Sequence, residues 1–296
     1  MKHYSVLSKE TIKKLNIKPE GIYVDATLGL GGHTKLIAKK AARVISFDQD
    51  SQAIEHAKNE LKDFDNITFI KDNFRNLESR LSELEIYKID GILYDLGTSY
   101  YQLTDKDRGF TYHGETILDM RMNPEQSKSA IEVLNEYTEE KLTKIFYDYG
   151  DEPRAKHLAK AIVNYRQKTK IQLNTELNEI VKSIKGFVKD KHPSKNIFQA
   201  IRIEVNDEIK VIKESIEQAI KLLKKNGIVA VITFHSLEDK TVKDIFWKNK
   251  EDIEITPMGN THKYKTSKTV YPTKKEVEEN NASRSAKLRI LKKLID

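Results

Sequence analysis

At 296 residues the chain exceeds a single small domain and can bury a sizeable core, either as one fold with a large insertion or as two domains. It has no cysteine, which excludes a disulfide framework, a thiolate zinc site and a cysteine nucleophile. Lys and Arg number 52 against 45 Asp and Glu; the net charge of +7 suits a polyanionic partner, and a lysine-rich genome gives the same sum.

The first ten residues lack the sustained apolar core of a secretory signal, and the apolar run Ile228 to Phe234 is far short of a bilayer span. A soluble cytoplasmic protein, with no membrane contact, is the expectation. Along the chain, the segments Gly21 to Thr27, Arg43 to Phe47, Ile67 to Ile70 and Ile89 to Tyr94 are short runs rich in Val and Ile. Polar helical stretches separate them. Little-alternated apolar runs of this kind read as strands covered on both faces, which predicts a doubly wound α/β sheet with right-handed crossovers.

From about Thr104 the periodicity becomes helical. Leu158, Ile162 and Tyr165 share one face, and Leu177, Ile180, Val181 and Ile184 follow at spacings of three and four. Thr138 and Asn174 stand where N-caps belong. A helix carrying Ile209, Ile212, Ile216, Ala219 and Leu223 is expected to end at Asn226-Gly227 through a C-cap glycine, with Ile228 to Phe234 following as a buried strand. The predicted architecture is a discontinuous α/β domain, residues 1–104 and 205–296, with an inserted all-helical domain at 105–204. Residues 261–275 carry five lysines, Tyr264 and Tyr271 without one acid, and read equally as an RNA-facing loop or a solvated one.

The sharpest local signal is Asp25-Ala-Thr-Leu-Gly29-Leu-Gly31-Gly32-His33, directly after the first predicted strand. Glycines there let backbone approach a ligand closely. A dinucleotide fingerprint needs a further glycine where Thr34 stands, which weakens a hydride-transfer reading. Asp48, closing the second strand, sits where α/β nucleotide sites place an acceptor for ribose hydroxyls; as a bland alternative it caps the next helix. Ligands in open α/β sheets bind outside the carboxyl ends of the strands, so Phe74 and Asp95 are expected to line the same crevice. An acid ending an apolar strand, as Asp95 does, needs partners or a role.

These motifs resemble the bacterial ribosomal RNA small-subunit methyltransferase H family over nearly the whole chain. The matching blocks are Gly29 to His33, Asp95-Leu-Gly97 with Gln102, Arg108-Gly-Phe110, Leu118-Asp-Met-Arg-Met122 and Tyr149-Gly150. Later come Lys191-His-Pro193, Phe198 to Arg202, Phe234 to Asp239 and Arg284 to Arg289. The chain departs from the pattern at Thr98, Tyr100 and Thr104, and where Ser5 and Ile117 replace proline. The resemblance implies an S-adenosylmethionine-dependent enzyme that methylates N4 of a cytosine in the decoding region of 16S ribosomal RNA, its partner being the small ribosomal subunit. It assigns cofactor contacts to Gly31, Gly32, His33, Asp48, Phe74, Asp95 and Gln102, and RNA recognition to the helical insertion.

The amine of cytosine is a poor nucleophile because its lone pair is delocalised into the ring. A carboxylate or carbonyl that accepts hydrogen bonds from N4 and takes its proton is therefore the group to find, and no metal is required. Asp95 is the first candidate. Asp119 with Arg121 either contacts the base or its phosphate, or forms an ion pair within the helical module. His235 borders the crevice, whereas Ser236 with Asp239 reads as a helix cap. Arg202, Lys287 and Arg289 are candidate phosphate ligands. The competing readings are a nucleotide-linked oxidoreductase of similar fold and a non-catalytic RNA-binding factor.

Overall fold

In the computed structural model, residues 5–186, 192–256 and 259–295 are described; Lys191 of the Lys191-His-Pro193 block lies outside them. The chain divides into two compact units, one formed by Met1–Gly97 with Ile209–Asp296 and the other by Thr98–Glu208.

The first unit begins with α1 (Ser8–Leu15) and alternates β1 (Ile22–Asp25), α2 (Gly32–Ala38), β2 (Arg43–Asp48), α3 (Ser51–Glu60), β3 (Ile67–Lys71), α4 (Leu77–Glu83) and β4 (Ile89–Asp95). The second unit holds α5 (Tyr100–Thr104), α6 (Ala130–Glu136), α7 (Glu139–Asp148), α8 (Ala155–Arg166), α9 (Asn174–Lys185) and α10 (Lys195–Asn206). The chain then continues through α11 (Glu208–Leu222), β5 (Leu223–Thr233), α12 (Ser236–Lys250), β6 (Ile253–Thr256), β7 (Gly259–His262), β8 (Tyr264–Thr266), α13 (Lys274–Glu279) and β9 (Lys287–Lys293).

Seven strands form one sheet in the order β3-β2-β1-β4-β5-β9-β8, parallel from β3 to β5 and antiparallel at β9 and β8. The α/β expectation is borne out. Strand periodicity explains its two covered faces. On one face Val24, Ile92, Tyr94, Val229 and Val231 pack with Leu77, Leu81, Ile212 and Ile216. On the other, Leu93, Ala230 and Ile232 pack with Leu15, Ile37, Leu288 and Ile290. At the sheet's far end Asp90 fixes the start of β4. Its carboxylate accepts hydrogen bonds from Lys18 Nζ (3.1 Å), Lys224 Nζ (2.8 Å) and the Ile22 N–H (3.1 Å).

Strand β5 starts earlier than expected. Helix α11 ends at Leu222, β5 opens at Leu223, and the pairing with β4 slips between Leu223 and Ile228. Gly227 is therefore no helix cap; the turn falls at Asn226, held at φ 67°. The segment 261–275 also differs from a loop, since it contains the second half of β7, all of β8 and a bridge from Val270 to Leu288.

The second unit has its own core, in which Leu118, Val133, Leu142, Phe146, Leu158, Ile162, Leu177, Val181 and Ile201 are buried. Thr138 caps α7, its hydroxyl accepting from the Lys141 N–H. Asn174 does not cap α9; it lies inside the helix, and its side chain accepts from the Thr116 N–H and donates to the Thr111 carbonyl. The Glu176 carboxylate takes over that end, accepting from the Gln172 and Leu173 N–H groups.

Candidate active site

The strand order reverses beside β1, whose neighbours are β2 and β4. Where neighbouring connections diverge in this way, an open α/β sheet leaves a crevice at the carboxyl ends. Three carboxylates stand along that edge on adjacent strands: Asp48 ends β2, Asp25 ends β1 and Asp95 ends β4. The glycine loop crosses above them. Gly31 sits at φ 79°, and a Cβ there would come within 2.8 Å of Leu61 Cδ1. A Cβ on Gly32 would overlap Ser5 Oγ. The loop thus requires glycine at position 31 for its backbone conformation, while at position 32 a side chain would displace the Ser5 hydroxyl.

Asp48 braces this loop. Its carboxylate accepts from the Gly29 N–H at 2.9 Å and from the Asp50 N–H at 2.9 Å. The cap of α3 is Asp50, which accepts from the Gln52 N–H, so the bland reading of Asp48 as that cap is corrected by two residues. Burial pushes the Asp48 carboxyl up to about 6, against the opposing pull of the two N–H donors.

Asp25 is fully buried and accepts from the Thr27 N–H at 3.1 Å and the Thr34 hydroxyl at 2.7 Å. Thr34 Oγ1 also meets Ser46 Oγ at 3.0 Å. The residue that breaks the dinucleotide fingerprint is therefore one that solvates Asp25. Burial raises the Asp25 carboxyl, with His33 and Thr34 pulling the other way.

His33 is buried between the acids, its Nε2 3.4 Å from Asp95 Oδ2. Burial works to lower the imidazole's pKa, but Asp95 and Asp25 outweigh it and hold it above the ordinary histidine value. The Asp95 N–H donates to Thr27 Oγ1 at 2.7 Å, which fixes the end of β4. Asp95 Oδ1 is buried without a hydrogen-bond partner. A bare buried carboxylate oxygen costs free energy on the order of 1–3 kcal/mol or more, so it marks a place for a donor that is not part of the chain. Phe74 opens a 3₁₀ turn after β3 and meets Tyr94 edge-on, with ring centroids 5.5 Å apart. It is half-buried against the core, which leaves part of its ring accessible.

The other candidates each have partners close in sequence or in their own unit. His235, not Ser236, is the N-cap of α12: its Nδ1 accepts from the Glu238 N–H, and its Nε2 lies 2.9 Å from Glu238 Oε1. Glu238 is fully buried and accepts from the Phe234 and His235 N–H groups. Within the second unit Gln102 forms a capping box with Ser99. There Asp119 takes a bidentate ion pair from Arg121, with Nη2 at 2.6 Å, and the Arg121 Nη1 donates to the Gln126 carbonyl. The module-internal ion pair is the arrangement found.

The three basic candidates are also paired. Arg202 binds Glu208 through two bonds of 2.8 Å, while Lys287 and Arg289 converge on Asp239 at 2.9 Å and 2.6 Å. Burial pulls the Asp239 carboxyl up, but these two cations outweigh it and hold it below the usual carboxylate range. We expect Arg289→Ala to lower unfolding stability by about 2–3 kcal/mol, since it strips a partly buried carboxylate of its best partner. Urea denaturation checks this; an unchanged midpoint together with weaker RNA binding would return Arg289 to the phosphate ligands.

Among the described residues no helix is long and apolar enough to cross a membrane. The model of the MraW methylase family matches residues 1–294. Two relatives, both named ribosomal RNA small subunit methyltransferase H and from the Loch Maree and Kyoto strains of Clostridium botulinum, are 46% identical over 306 aligned residues, covering 99% of this chain and 99% of their own. The crystal structure of an rRNA methylase from Streptococcus thermophilus is similar at a TM-score of 0.45 and 14% identity, covering 97% of this chain and 93% of that one. With the family model spanning almost every residue and the curated relatives matching end to end, the chain belongs to the MraW methylase family.

Proposed function

We propose that this protein transfers a methyl group from S-adenosylmethionine to N4 of a cytosine in the decoding region of 16S ribosomal RNA, with Asp95 as the group that receives the amine. Membership of a methylase family supports the cofactor and the reaction class; the names of the relatives support the ribosomal substrate.

The residues present fit that cofactor. It carries a sulfonium and an ammonium and has no phosphate, and the crevice offers carboxylates where a phosphate site would offer cations. Gly31 and Gly32 give close backbone approach, Asp48 an acceptor for ribose hydroxyls, Phe74 an apolar ring for the adenine, and Asp95 negative charge beside the cationic end. When bound, S-adenosylmethionine supplies an electrophilic methyl group.

The observation that carries the reading is the unpartnered Oδ1 of Asp95. From that position the carboxylate accepts a hydrogen bond from the amine, orients it, and takes its proton at Oδ1 as positive charge develops on the nitrogen. His33 stands behind it, its Nε2 3.4 Å from Oδ2, and orients the carboxylate. We assign RNA recognition to the helical unit. The test is transfer of labelled methyl to small ribosomal subunits purified from a strain lacking the gene. Label in N4-methylcytidine of the RNA is the expected result, and label absent from RNA, or found on another nucleoside, overturns the assignment.

A further inference from the structure

Arg202, Lys287 and Arg289 are consumed by internal pairs, so other cations must meet a polyanion. One group surrounds Trp247, the single tryptophan of the chain, on the outer face of α12. Lys240, Lys243, Trp247 and Lys250 recur at helical spacing and share one stripe. Trp247 is 55% exposed, and Lys250 Nζ sits 4.8 Å from the centre of its ring. Among the described residues no carboxylate pairs with Lys240, Lys243, Lys248 or Lys250. An open hollow of about 520 Å³ lies against the indole, lined by Lys243, Asp244, Lys248 and Glu251.

An exposed tryptophan between unpaired lysines does not suit a second copy of the chain, because a two-fold contact would set the lysine stripe against itself. The chemistry that satisfies both parts is a flexible polyanion with flat apolar faces. Single-stranded nucleic acid is bound in this way, with bases stacked on aromatic rings and the backbone tracked by cations.

We propose that this face of α12 is an RNA-binding surface separate from the crevice. An unpaired base of the ribosomal RNA stacks on Trp247, and Lys240, Lys243 and Lys250 hold the phosphates on either side. The proposal rests on the reading that the substrate is ribosomal RNA. Helix α12 starts at the carboxyl edge of the sheet and Trp247 lies about 16 Å further along its axis, so the surface holds RNA flanking the target nucleotide.

The single tryptophan makes the test direct. The full-length protein is titrated with a short single-stranded RNA and with its duplex, following indole emission, while binding of a labelled copy of the same RNA is read by anisotropy. Saturable quenching by the single strand, weaker with the duplex, is expected. Trp247→Ala weakens binding about tenfold, and Trp247→Phe, which keeps a stacking face, stays within about twofold of wild type. Lys243→Ala with Lys250→Ala reduces the slope of log K against log salt by about 1.4. Unchanged emission, with wild-type affinity in Trp247→Ala, overturns the surface while leaving the ribosomal reading intact, provided methyl transfer to small subunits persists in the same preparation. Loss of that transfer in the wild-type protein overturns the ribosomal reading and this surface with it. A change in indole emission with protein concentration alone identifies a contact between copies and also overturns the proposal.

Discussion

Asp95→Asn lowers methyl transfer to small subunits by about 10²- to 10⁴-fold, the range expected when a positioned proton acceptor is removed. The substitution keeps the shape of the side chain and leaves the backbone bond from Asp95 to Thr27 in place, so the fold and the end of β4 persist. What disappears is the charge. Neutral asparagine accepts only weakly from the amine and cannot take its proton, and His33 loses the nearer of the two acids that hold its pKa up. Single-turnover rates with saturating cofactor separate this effect from binding. Wild-type turnover together with wild-type cofactor affinity in Asp95→Asn would remove Asp95 from the chemistry.

The second large effect falls on cofactor affinity. Asp48→Ala removes the acceptor that braces the loop and that we propose receives the ribose hydroxyls, and it leaves the Gly29 and Asp50 N–H groups without their partner. Hydrogen bonds to a charged group contribute about 1.5–3 kcal/mol each, so the Kd for S-adenosylmethionine rises about a hundredfold. The pH dependence has a definite sign. The Asp48 carboxyl titrates near 6, and its ionised form is the better acceptor, so affinity weakens as pH falls through about 6. For folding the sign is opposite. A carboxyl whose folded pKa lies above its unfolded value stabilises the fold when protonated, and that contribution is lost as pH rises through about 6. Calorimetric titrations between pH 5 and 8 check both arms, since Asp48→Ala flattens the profile. A wild-type profile already flat across this range contradicts the role.

The parallel half of the sheet is legible in the sequence because each strand is buried on both faces and reads as an unbroken run of Val, Ile and aromatic residues. The edge is not. Strand β9, Lys-Leu-Arg-Ile-Leu-Lys-Lys, buries Leu288, Ile290 and Leu291 between cations, and its charge hides an antiparallel strand. The start of β5 is hidden by Lys224, Lys225 and Asn226, which imitate the end of a helix.

At the site, Gly31, Gly32, Asp48 and Asp95 stand out because spacing after a strand is a local property. Their partners are not local. Thr27 is invisible until β1 and β4 pair, and nothing in the composition of residues 33–46 says that Thr34 and Ser46 meet over Asp25. Glu238 had a signal in its spacing of three from His235, a capping box with histidine in place of serine. The pairing of Arg202, Lys287 and Arg289 likewise depends on Glu208 and Asp239 arriving from other turns, which explains why apparent phosphate ligands are structural ion pairs.

Nucleoside mass spectrometry of small-subunit RNA from cells lacking the gene tests the central claim most directly. N4-methylation at a decoding-region cytosine should be absent there, restored by the wild-type gene, and not restored by an equally abundant Asp95→Asn protein. If the modification persists without the gene, or returns fully with the Asp95→Asn protein, a methyl transfer centred on this crevice and its free carboxylate oxygen is contradicted.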